Sequence, residues 1–468
     1  MKLNPSKLLV FWIILLLSCK DPESDKPVSD LDSNSLLITN VTIFNGRDSV
    51  LLENRNVLVE NGEIKAIIKS EIPFKEKKID GTGKFLIPGF IDAHVHLSGS
   101  GAVPWANVKP DMEYNLKAYL QTGITTVYDL GGLASELNKL AAKVEKREVL
   151  GPSIFHTHIP ITVPNSHPIP LSKEILTWPL NKMVEMISPV IKTPEDAPKV
   201  IKNYLEKEVD YVKIICDQIP PGSPEMSLKQ MKAVAQVAHD NGKKVIAHIG
   251  SPDNAIAAVE AGIDVLAHGI WRERLNEEQA TRIAQSQIPI IYTAAAFHNV
   301  SEIQNGNFQP SALDKELVPA EILDPVTGDK GKDVHQQNIM NEFFKQVADE
   351  HKNLELNFKL LKQHEAKILV GTDSNLPGTY AGSTFIQELY QLSTWGMSNY
   401  EVLKAATYSN ASAFLDEPHF GSIEIGKQAD FLLLSANPLE DLQAVEHVEA
   451  IILRGKNVSD MLKPSTNL

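Results

Sequence analysis

Apolar residues follow one pattern at both ends of the chain and a different pattern between them. Residues 36–85 and 416–460 contain short runs of β-branched and aliphatic residues, with Asn-Gly signals for hairpin turns at 45–46 and 61–62. We predict that these terminal segments pair into one small β domain. Residues 86–415 alternate apolar strands with helical stretches, and we count eight strands, from FIDAHVHL to KILVGTD. Eight strand-then-helix units predict an α/β fold with a (β/α)8 barrel of the TIM type.

The start of the chain combines basic residues with an apolar run. Lys2 and Lys7 flank the beginning of this segment, and residues 8–17 are all apolar. The run is too short to span a bilayer, which needs about 20 residues, but it is typical of a secretory signal. The sequence LLSC, ending at Cys19, resembles a bacterial lipoprotein processing site, where the cysteine is lipidated and becomes the mature N-terminus. We therefore predict a lipoprotein signal peptide over residues 1–18, the alternative being an ordinary cleaved signal with an incidental cysteine.

The segment that follows the apolar run predicts a tether. Residues 19–35 are rich in Asp, Ser and Pro and contain few apolar residues, a composition typical of a flexible chain. With a lipid on Cys19, this segment would connect the folded part to a membrane. We expect an exported protein of the bacterial cell envelope, anchored at the outer membrane or the cell surface.

Composition and charge exclude several classes of protein. Hydrophobic residues make up 43% and charged residues 22% of the 468 residues, as in ordinary globular chains. The net charge of −14 has the wrong sign for a nucleic-acid partner, so we predict none. Two cysteines cannot form a disulfide framework, and Cys216 lies in an apolar run that predicts a small buried side chain. The sequence leaves the oligomeric state open, a homo-oligomer included.

The candidate chemistry lies where the predicted strands end. His94 and His96 are spaced by two in FIDAHVHL, so on a strand both point to the same face. His248 ends KVIAHI, His268 ends VLAHG and Asp373 ends KILVGTD. The carboxyl ends of barrel strands meet at one mouth, so these residues are predicted to be neighbours. Imidazoles with a carboxylate are typical ligands of Zn²⁺, and we predict a divalent metal site.

The order of these motifs resembles the amidohydrolase superfamily. FIDAHVHL after LIPG is similar to its first-strand His-x-His signature, and TGITTVYDLGG, AHIGSPDNAIAAVEAGIDVLAHG, VGTDS and EIGKQADFLLL follow in the family's order. The resemblance extends over residues 36–458 and implies a metal-dependent hydrolase with a (β/α)8 barrel and a composite β-sandwich. The DYVKII and AHG segments resemble the imidazolonepropionase-related and prolidase-like branch.

Lys213 gains its interpretation from this resemblance alone. From the residues, the lysine of DYVKII is either a buried amine or a surface lysine at a strand end. In the similar branch the matching lysine is often carboxylated and bridges two metals. The resemblance therefore implies one or two Zn²⁺ ions, with two favoured, and a ligand set of six residues: His94, His96, Lys213, His248, His268 and Asp373.

The implied reaction is hydrolysis of a C–N bond in a small amide, dipeptide or cyclic amide. A metal-held water, acidified towards neutral pH, becomes the hydroxide nucleophile, and Asp373 accepts its proton and delivers it to the leaving amine. His167 resembles a loop histidine that contacts substrate in the prolidase-like branch, although the usual Gly-Gly before it is Asn165-Ser166 here. Arg272 and Arg274 follow the sixth strand and could pair with a substrate carboxylate, although solvent exposure is the commoner fate of such arginines.

Alternative functions share parts of this pattern. A mononuclear lactam hydrolase of the imidazolonepropionase type uses the same barrel, and a surface-tethered binding lipoprotein would have lost catalysis. A deaminase needs a catalytic acid near the fifth-strand histidine, but no Glu occurs within ten residues after His248. The sequence favours a dipeptidase-like or prolidase-like amidohydrolase. Substrate selection is predicted to lie in two long loops, 156–198 and 297–349.

The lipoprotein signal makes a direct prediction. In the native host, labelled palmitate should enter the wild-type protein and be absent from Cys19→Ala, because only a thiol at the processing site accepts the lipid. Cys216→Ala, which changes the other cysteine of the chain, should label like the wild type. Unchanged membrane partitioning of Cys19→Ala would contradict lipid anchoring.

Overall fold

A computed structural model describes residues 35–462 of the chain, apart from residues 104, 105, 107, 177 and 328–338. The predicted signal peptide, Cys19 and the tether up to residue 34 lie outside the described residues. The described strands, numbered in chain order, are β1 Ser35–Ile43, β2 Leu52–Glu60, β3 Glu63–Ile68, β4 Lys78–Asp80, β5 Phe85–Pro88, β6 Phe90–Val95, β7 Ile124–Asp129, β8 Ser153–His156, β9 Val212–Ile215, β10 Val245–His248, β11 Val265–Ala267, β12 Ile290–Tyr292, β13 Ile368–Val370, β14 Phe431–Leu434, β15 Val448–Leu453 and β16 Lys456–Asn457.

Helices fill most of the intervals between the strands. They are α1 Met112–Gln121, α2 Ala134–Glu145, α3 Ile169–Ile175, α4 Leu180–Ile187, α5 Ala197–Leu205, α6 Leu228–Asp240, α7 Pro252–Ala261, α8 Glu277–Gln285, α9 Ala294–Gln304, α10 Ala312–Leu317, α11 Ala320–Thr327, α12 Ile339–Glu350, α13 Lys352–Gln363, α14 Ser383–Thr394, α15 Asn399–Lys404, α16 Asn410–Phe414 and α17 Ser459–Leu462. A π-helical turn, Ala405–Ser409, joins α15 to α16. Within the described part of the chain, no helix combines the length and apolar character needed to cross a membrane.

The N- and C-terminal segments form one mixed sheet of eight strands. Its order is β16-β15-β14-β5-β1-β2-β3, with β4 beside β1. Phe431 and Leu433 of β14 pack in the sheet's own apolar cluster, whereas Leu432 and Leu434 pack in the core of the α/β region. This alternation has the period of two that is expected of a strand buried on both faces. The sheet therefore rests directly on the region that carries the candidate site.

The two Asn-Gly turn signals have different outcomes. Asn61 and Gly62 both have positive φ and connect β2 to β3 as a two-residue hairpin, with Glu60 paired to Glu63. Asn45-Gly46 also lies in the connection of a hairpin, because β1 and β2 pair antiparallel, but this connection spans residues 44–51 rather than two residues. There the Asn45 side chain accepts hydrogen bonds from the backbone N–H groups of the second and third residues after it, at 2.8 and 2.9 Å.

The eight predicted strands of the central region are present as β6 to β13, all parallel to their neighbours. They form a three-stranded sheet, β6-β7-β8, and a five-stranded sheet, β9-β10-β11-β12-β13. Isolated bridges join Val95 to Ser374 and Ile161 to Ile214, so the two sheets adjoin at both edges. Among the described residues no continuous ladder crosses these two seams. Ile161, five residues beyond the end of β8, takes the place beside β9 and interrupts the ladder there.

Both predicted long loops contain helices. Helices α3 and α4 lie within 156–198, and α9 to α12 occupy most of 297–349. Phe297, Val300 and Ile303 lie three residues apart and are buried on one side of α9, a spacing that fits a helix. Helices therefore make up a substantial part of the described residues in both connections.

Side chains close the seam between β6 and β13, where ladder hydrogen bonds are few. The Asn410 amide donates to the carbonyls of Ile91 in β6, at 2.6 Å, and Val370 in β13, at 2.8 Å. Its oxygen accepts from the Val370 N–H at 3.2 Å. Asp92 accepts from the Thr372 hydroxyl at 2.6 Å and from the Thr372 N–H at 3.1 Å. Two buried polar side chains thus replace the missing backbone pairing.

Removing Asn410 should destabilise the fold measurably. In Asn410→Ala, two buried carbonyls and one buried N–H lose their partner, so we expect the free energy of unfolding to fall by about 2–4 kcal/mol. Asn241→Ala, which removes an exposed amide bonded only to the Val237 carbonyl, should change it by less than about 1 kcal/mol. Guanidinium denaturation of both variants provides the measurement, and equal changes would contradict the role of Asn410 at the seam.

Candidate metal centre

Strand β6 and the residues after β13 bring three ligand-type side chains together. His94 and His96 lie two residues apart at the end of β6, on the same side, and Asp373 follows β13. The Asp373 Oδ1 atom is 3.2 Å from His94 Nε2 and 2.9 Å from His96 Nε2. The backbone fixes this approach, because the Asp373 N–H donates to the His94 carbonyl at 2.8 Å. His94 is almost fully buried, whereas His96 is partly exposed.

His248 and His268 form a second group against the first. His248 ends β10 and His268 follows β11, and their Nδ1 and Nε2 atoms, respectively, are 3.0 Å apart. The other ring nitrogen of His268, Nδ1, is 2.8 Å from the Thr293 hydroxyl. The rings of His94 and His268 lie 4.8 Å apart between centroids. The ligand atoms of His94, His268 and Asp373 all lie within 4.8 Å of one another.

Lys213 points its amine into this cluster. It lies in β9, is 1% exposed, and its Nζ has no hydrogen-bond partner among the described residues. Its charge contributes to lowering the pKa of His94, His248 and His268. Lys213 pairs with Ile246 of β10, so its side chain points to the same side of the sheet as that of His248, two residues along. Burial lowers the pKa of Lys213 to about 7, although the Asp373 charge acts in the opposite direction. A substantial fraction of the amine is therefore neutral near pH 7.

Burial also determines the charge of the histidines. It holds the pKa of His94 and of His268 well below the ordinary value, with further contributions from neighbouring cationic groups. Burial acts to lower the pKa of His96 as well, but the hydrogen bond and charge of Asp373 outweigh it and leave that pKa raised. The imidazoles of His94 and His268 are thus neutral, the form in which a ring nitrogen can hold a metal.

These residues fit a divalent cation. Four imidazoles and one carboxylate converge, and the buried Lys213 amine has no partner within the described protein, which is unfavourable unless something binds there. Nitrogen and carboxylate donors suit a borderline cation such as Zn²⁺. All six side chains that the sequence singled out as ligands are therefore brought to one place.

His167 lies at the edge of the cluster. Its ring centroid is 5.5 Å from that of His248, and its Nδ1 has no hydrogen-bond partner among the described residues. Burial lowers the pKa of His167 to about 4, so the ring is neutral at pH 7. A neutral imidazole beside the ligands can donate or accept a hydrogen bond, as contact with a substrate requires.

Two buried acidic residues that sequence analysis did not single out hold the backbone around the ligands. Asp92 is buried beside His94, and burial raises its pKa to about 7 against the effect of its hydrogen bonds. Asp129, at the end of β7, accepts from the N–H groups of Leu97 at 2.7 Å and Gly131 at 3.0 Å. Asp92 interrupts an apolar strand and Asp129 ends one. A lone carboxylate in an apolar strand is the sequence signal that could have identified both residues.

A further pair was missed because its members are far apart in the chain. Asp217 lies two residues after β9, is fully buried, and its Oδ1 accepts from Arg272 Nε at 2.5 Å. The solvent-exposed alternative for Arg272 is wrong, because the guanidinium is buried in this ion pair and stacks over Trp271 at 4.4 Å. Arg274 is exposed.

Cys216 is fully buried, as its apolar sequence context predicted, and burial raises the pKa of its thiol.

Comparison with known proteins agrees with this geometry. Residues 85–458 match the model of the Amidohydrolase family. The chain is 21% identical to the imidazolonepropionase of Brevibacillus brevis over 430 residues, covering 86% of this chain and 90% of that protein. It is also 21% identical to the ochratoxinase of Aspergillus niger over 437 residues, covering 84% and 80% of the two proteins.

A solved structure shares the fold. The crystal structure of a Xaa-Pro dipeptidase with bound methionine in the active site superimposes with a TM-score of 0.72 at 21% identity, covering 90% of this chain and 99% of that one. The family model matches well over half of the chain and includes all the ligand-type residues described above. The similarity to these hydrolases supports an enzyme that hydrolyses C–N bonds, and the protein belongs to the amidohydrolase family.

Proposed function

We propose that this protein is a metal-dependent amidohydrolase that cleaves the C–N bond of a small dipeptide or dipeptide-like amide. The observation that carries the proposal is the convergence of four imidazoles and a carboxylate, together with a buried Lys213 amine that has no hydrogen-bond partner among the described residues. Isolated buried amines and imidazoles are unfavourable without a ligand, so this set supports a bound cation.

The residues divide naturally between two ions. His94, His96 and Asp373 would hold one cation, and His248 with His268 would hold the other. Lys213 would lie between the two ions, and reaction of its neutral amine with CO₂ would form a carbamate and release one proton. The carbamate has two oxygens and could bind both ions, as the ammonium cannot. Bound Zn²⁺ would supply Lewis acidity, which acidifies a water and polarises the scissile carbonyl.

The protein's own groups would handle the proton and the substrate. Asp373 Oδ1 lies at the centre of the first ligand group, where a carboxylate can accept a proton from the attacking water and deliver it to the departing amine. His167 stands beside the second group and would donate a hydrogen bond to the substrate carbonyl or carboxylate. Both side chains are placed by strand ends or by the segment after β8, so little movement is required.

Aromatic side chains support a substrate with an apolar group. The Phe297 ring lies 5.8 Å from His268 and 5.2 Å from Trp271, and Phe343 of α12 lies 6.1 Å from Trp271. This wall beside the ligands would accommodate the side chain or ring next to the scissile bond. The similarity to a Xaa-Pro dipeptidase supports a dipeptide. The similarity to an imidazolonepropionase supports the second candidate, a mononuclear lactam hydrolase.

Two finer points complete the proposal. We propose that the two parallel sheets are parts of one (β/α)8 barrel, supported by the strand order and by the bridges at both seams.

We also propose that the protein is anchored in the bacterial cell envelope through a lipid on Cys19. The support for this anchor is the LLSC sequence and the composition of the segment after it.

Metal and activity should be lost together. Purified protein should bind about two divalent ions per chain and, when loaded, release amino acids from a panel of Xaa-Pro dipeptides, other dipeptides and N-acyl amino acids. His94→Asn should lose most of the metal, by mass spectrometry, and most of the activity. His239→Asn, at an exposed histidine of α6, should retain both. A metal-free protein that hydrolyses these substrates, or a fully loaded one that hydrolyses only lactams, would contradict the proposal.

Lys213 separates the binuclear proposal from the mononuclear candidate. Lys213→Ala removes the carbamate and leaves space for a small acid, so metal content should fall towards one ion or fewer. Turnover should fall by more than about 100-fold, since even outer groups of a metal site change activity about 10–100-fold. Added formate or acetate should restore part of the rate. Lys229→Ala, at an exposed position of α6, is the control, and an unchanged Lys213→Ala would indicate a mononuclear site.

A further inference from the structure

Asp217 occupies a defined position between an arginine and a ligand histidine. Its Oδ1 accepts two hydrogen bonds, from Arg272 Nε at 2.5 Å and from the Gln218 N–H at 2.8 Å. Arg272 is itself held by the Gln218 carbonyl, to which its Nη2 donates at 2.5 Å. The carboxylate is fully buried, so these contacts fix its plane and leave one oxygen for another partner.

The remaining oxygen faces His248. Asp217 Oδ2 is 3.4 Å from His248 Nε2, and neither atom has a hydrogen-bond partner among the described residues. The other nitrogen of that ring, Nδ1, is 3.0 Å from His268 Nε2 and so points into the proposed metal site. Such contacts are often long before a site is loaded and shorten afterwards.

We propose that Asp217 is a positioning residue that keeps the proton of His248 on Nε2, which leaves the Nδ1 lone pair for the metal. This inference rests on the proposed function. A neutral imidazole has one N–H and one lone pair, and an ionised carboxylate only accepts, so it selects the tautomer that donates to it. Arg272 acts one step further out, because it holds Asp217 in the orientation that presents Oδ2 to His248.

His268 shows the same arrangement with a neutral partner. Its Nδ1 lies 2.8 Å from the Thr293 hydroxyl, which can accept a hydrogen bond from the ring N–H, while its Nε2 points towards His248. Both imidazoles of the second group are therefore supported from outside the site. Outer partners of this kind orient metal-binding histidines and commonly change metal affinity about 10–100-fold when removed.

The hydrogen bonds to Asp217 make an isosteric variant informative. In Asp217→Asn, Arg272 Nε and the Gln218 N–H still require an acceptor, so the amide oxygen must take the Oδ1 position. The NH₂ group then faces His248 Nε2 and donates to it, which places the ring proton on Nδ1, the atom needed by the metal. Asp217→Ala removes the same negative charge but imposes no tautomer.

The two variants should therefore differ in an order that packing alone does not predict. We expect Zn²⁺ affinity, measured by chelator competition, to fall about 10-fold in Asp217→Ala and at least about 10-fold further in Asp217→Asn. The melting temperature of the metal-free proteins should follow the opposite order, because alanine leaves a cavity beside Arg272. Asp240→Asn, at an exposed carboxylate at the end of α6, should match the wild type in both measurements.

An equal or greater affinity loss in alanine than in asparagine would overturn the proposal. If either variant does not fold, ¹⁵N NMR of the zinc-loaded wild type decides instead. A His248 ring with its proton on Nε2 supports the role of Asp217, and a proton on Nδ1 overturns it. A wild-type protein that binds no divalent ion would contradict the proposed function itself, an outcome distinct from the failure of this tautomer assignment.

Discussion

The position of β6 beside β13 is the constraint on which the candidate site depends. One strand carries His94 and His96, and the other leads directly into Asp373, yet few ladder hydrogen bonds connect them. Asp92 binds Thr372 across this seam, and Asn410 binds both strands. The distances between the imidazoles and the Asp373 carboxylate therefore depend on these buried side-chain hydrogen bonds together with the backbone hydrogen bond from Asp373 to His94. Such a network is strong only while every partner is present.

Desolvation connects this framework to the chemistry. The apolar interior between the strands stabilises the fold and also removes Lys213 and the histidines from water. This loss of hydration favours their neutral forms. Neutral nitrogens have lone pairs for a cation, and a neutral amine can react with CO₂. Without such partners the same groups are a cost to stability. The site is thus best explained as a region whose polar groups are completed by a bound ligand.

Sequence could predict much of this arrangement because strand ends leave local signals. The spacing of His94 and His96, and the polar residues that end apolar strands, identified five of the ligand-type residues, whereas Lys213 was identified through the resemblance to the amidohydrolase superfamily. The pairing of Asp217 with Arg272 had no such signal, because the two residues are 55 positions apart and neither belongs to a periodic pattern. The interruption between β8 and β9 arises from the path of Ile161, which depends on packing rather than on local propensity. The helices in the two long connections were missed because most of them are short and are separated by turns, so each contains too few apolar residues to show a helical period.

The most direct test of a binuclear site is anomalous diffraction from crystals of zinc-loaded protein, recorded on both sides of the zinc absorption edge. Such a site predicts two peaks per chain, about 3.5–4 Å apart, one beside Asp373 and one beside His248 and His268. It also predicts electron density that extends the Lys213 amine into a carbamate between them. A single peak with an unmodified Lys213 amine, or no anomalous peak among these residues, would contradict it.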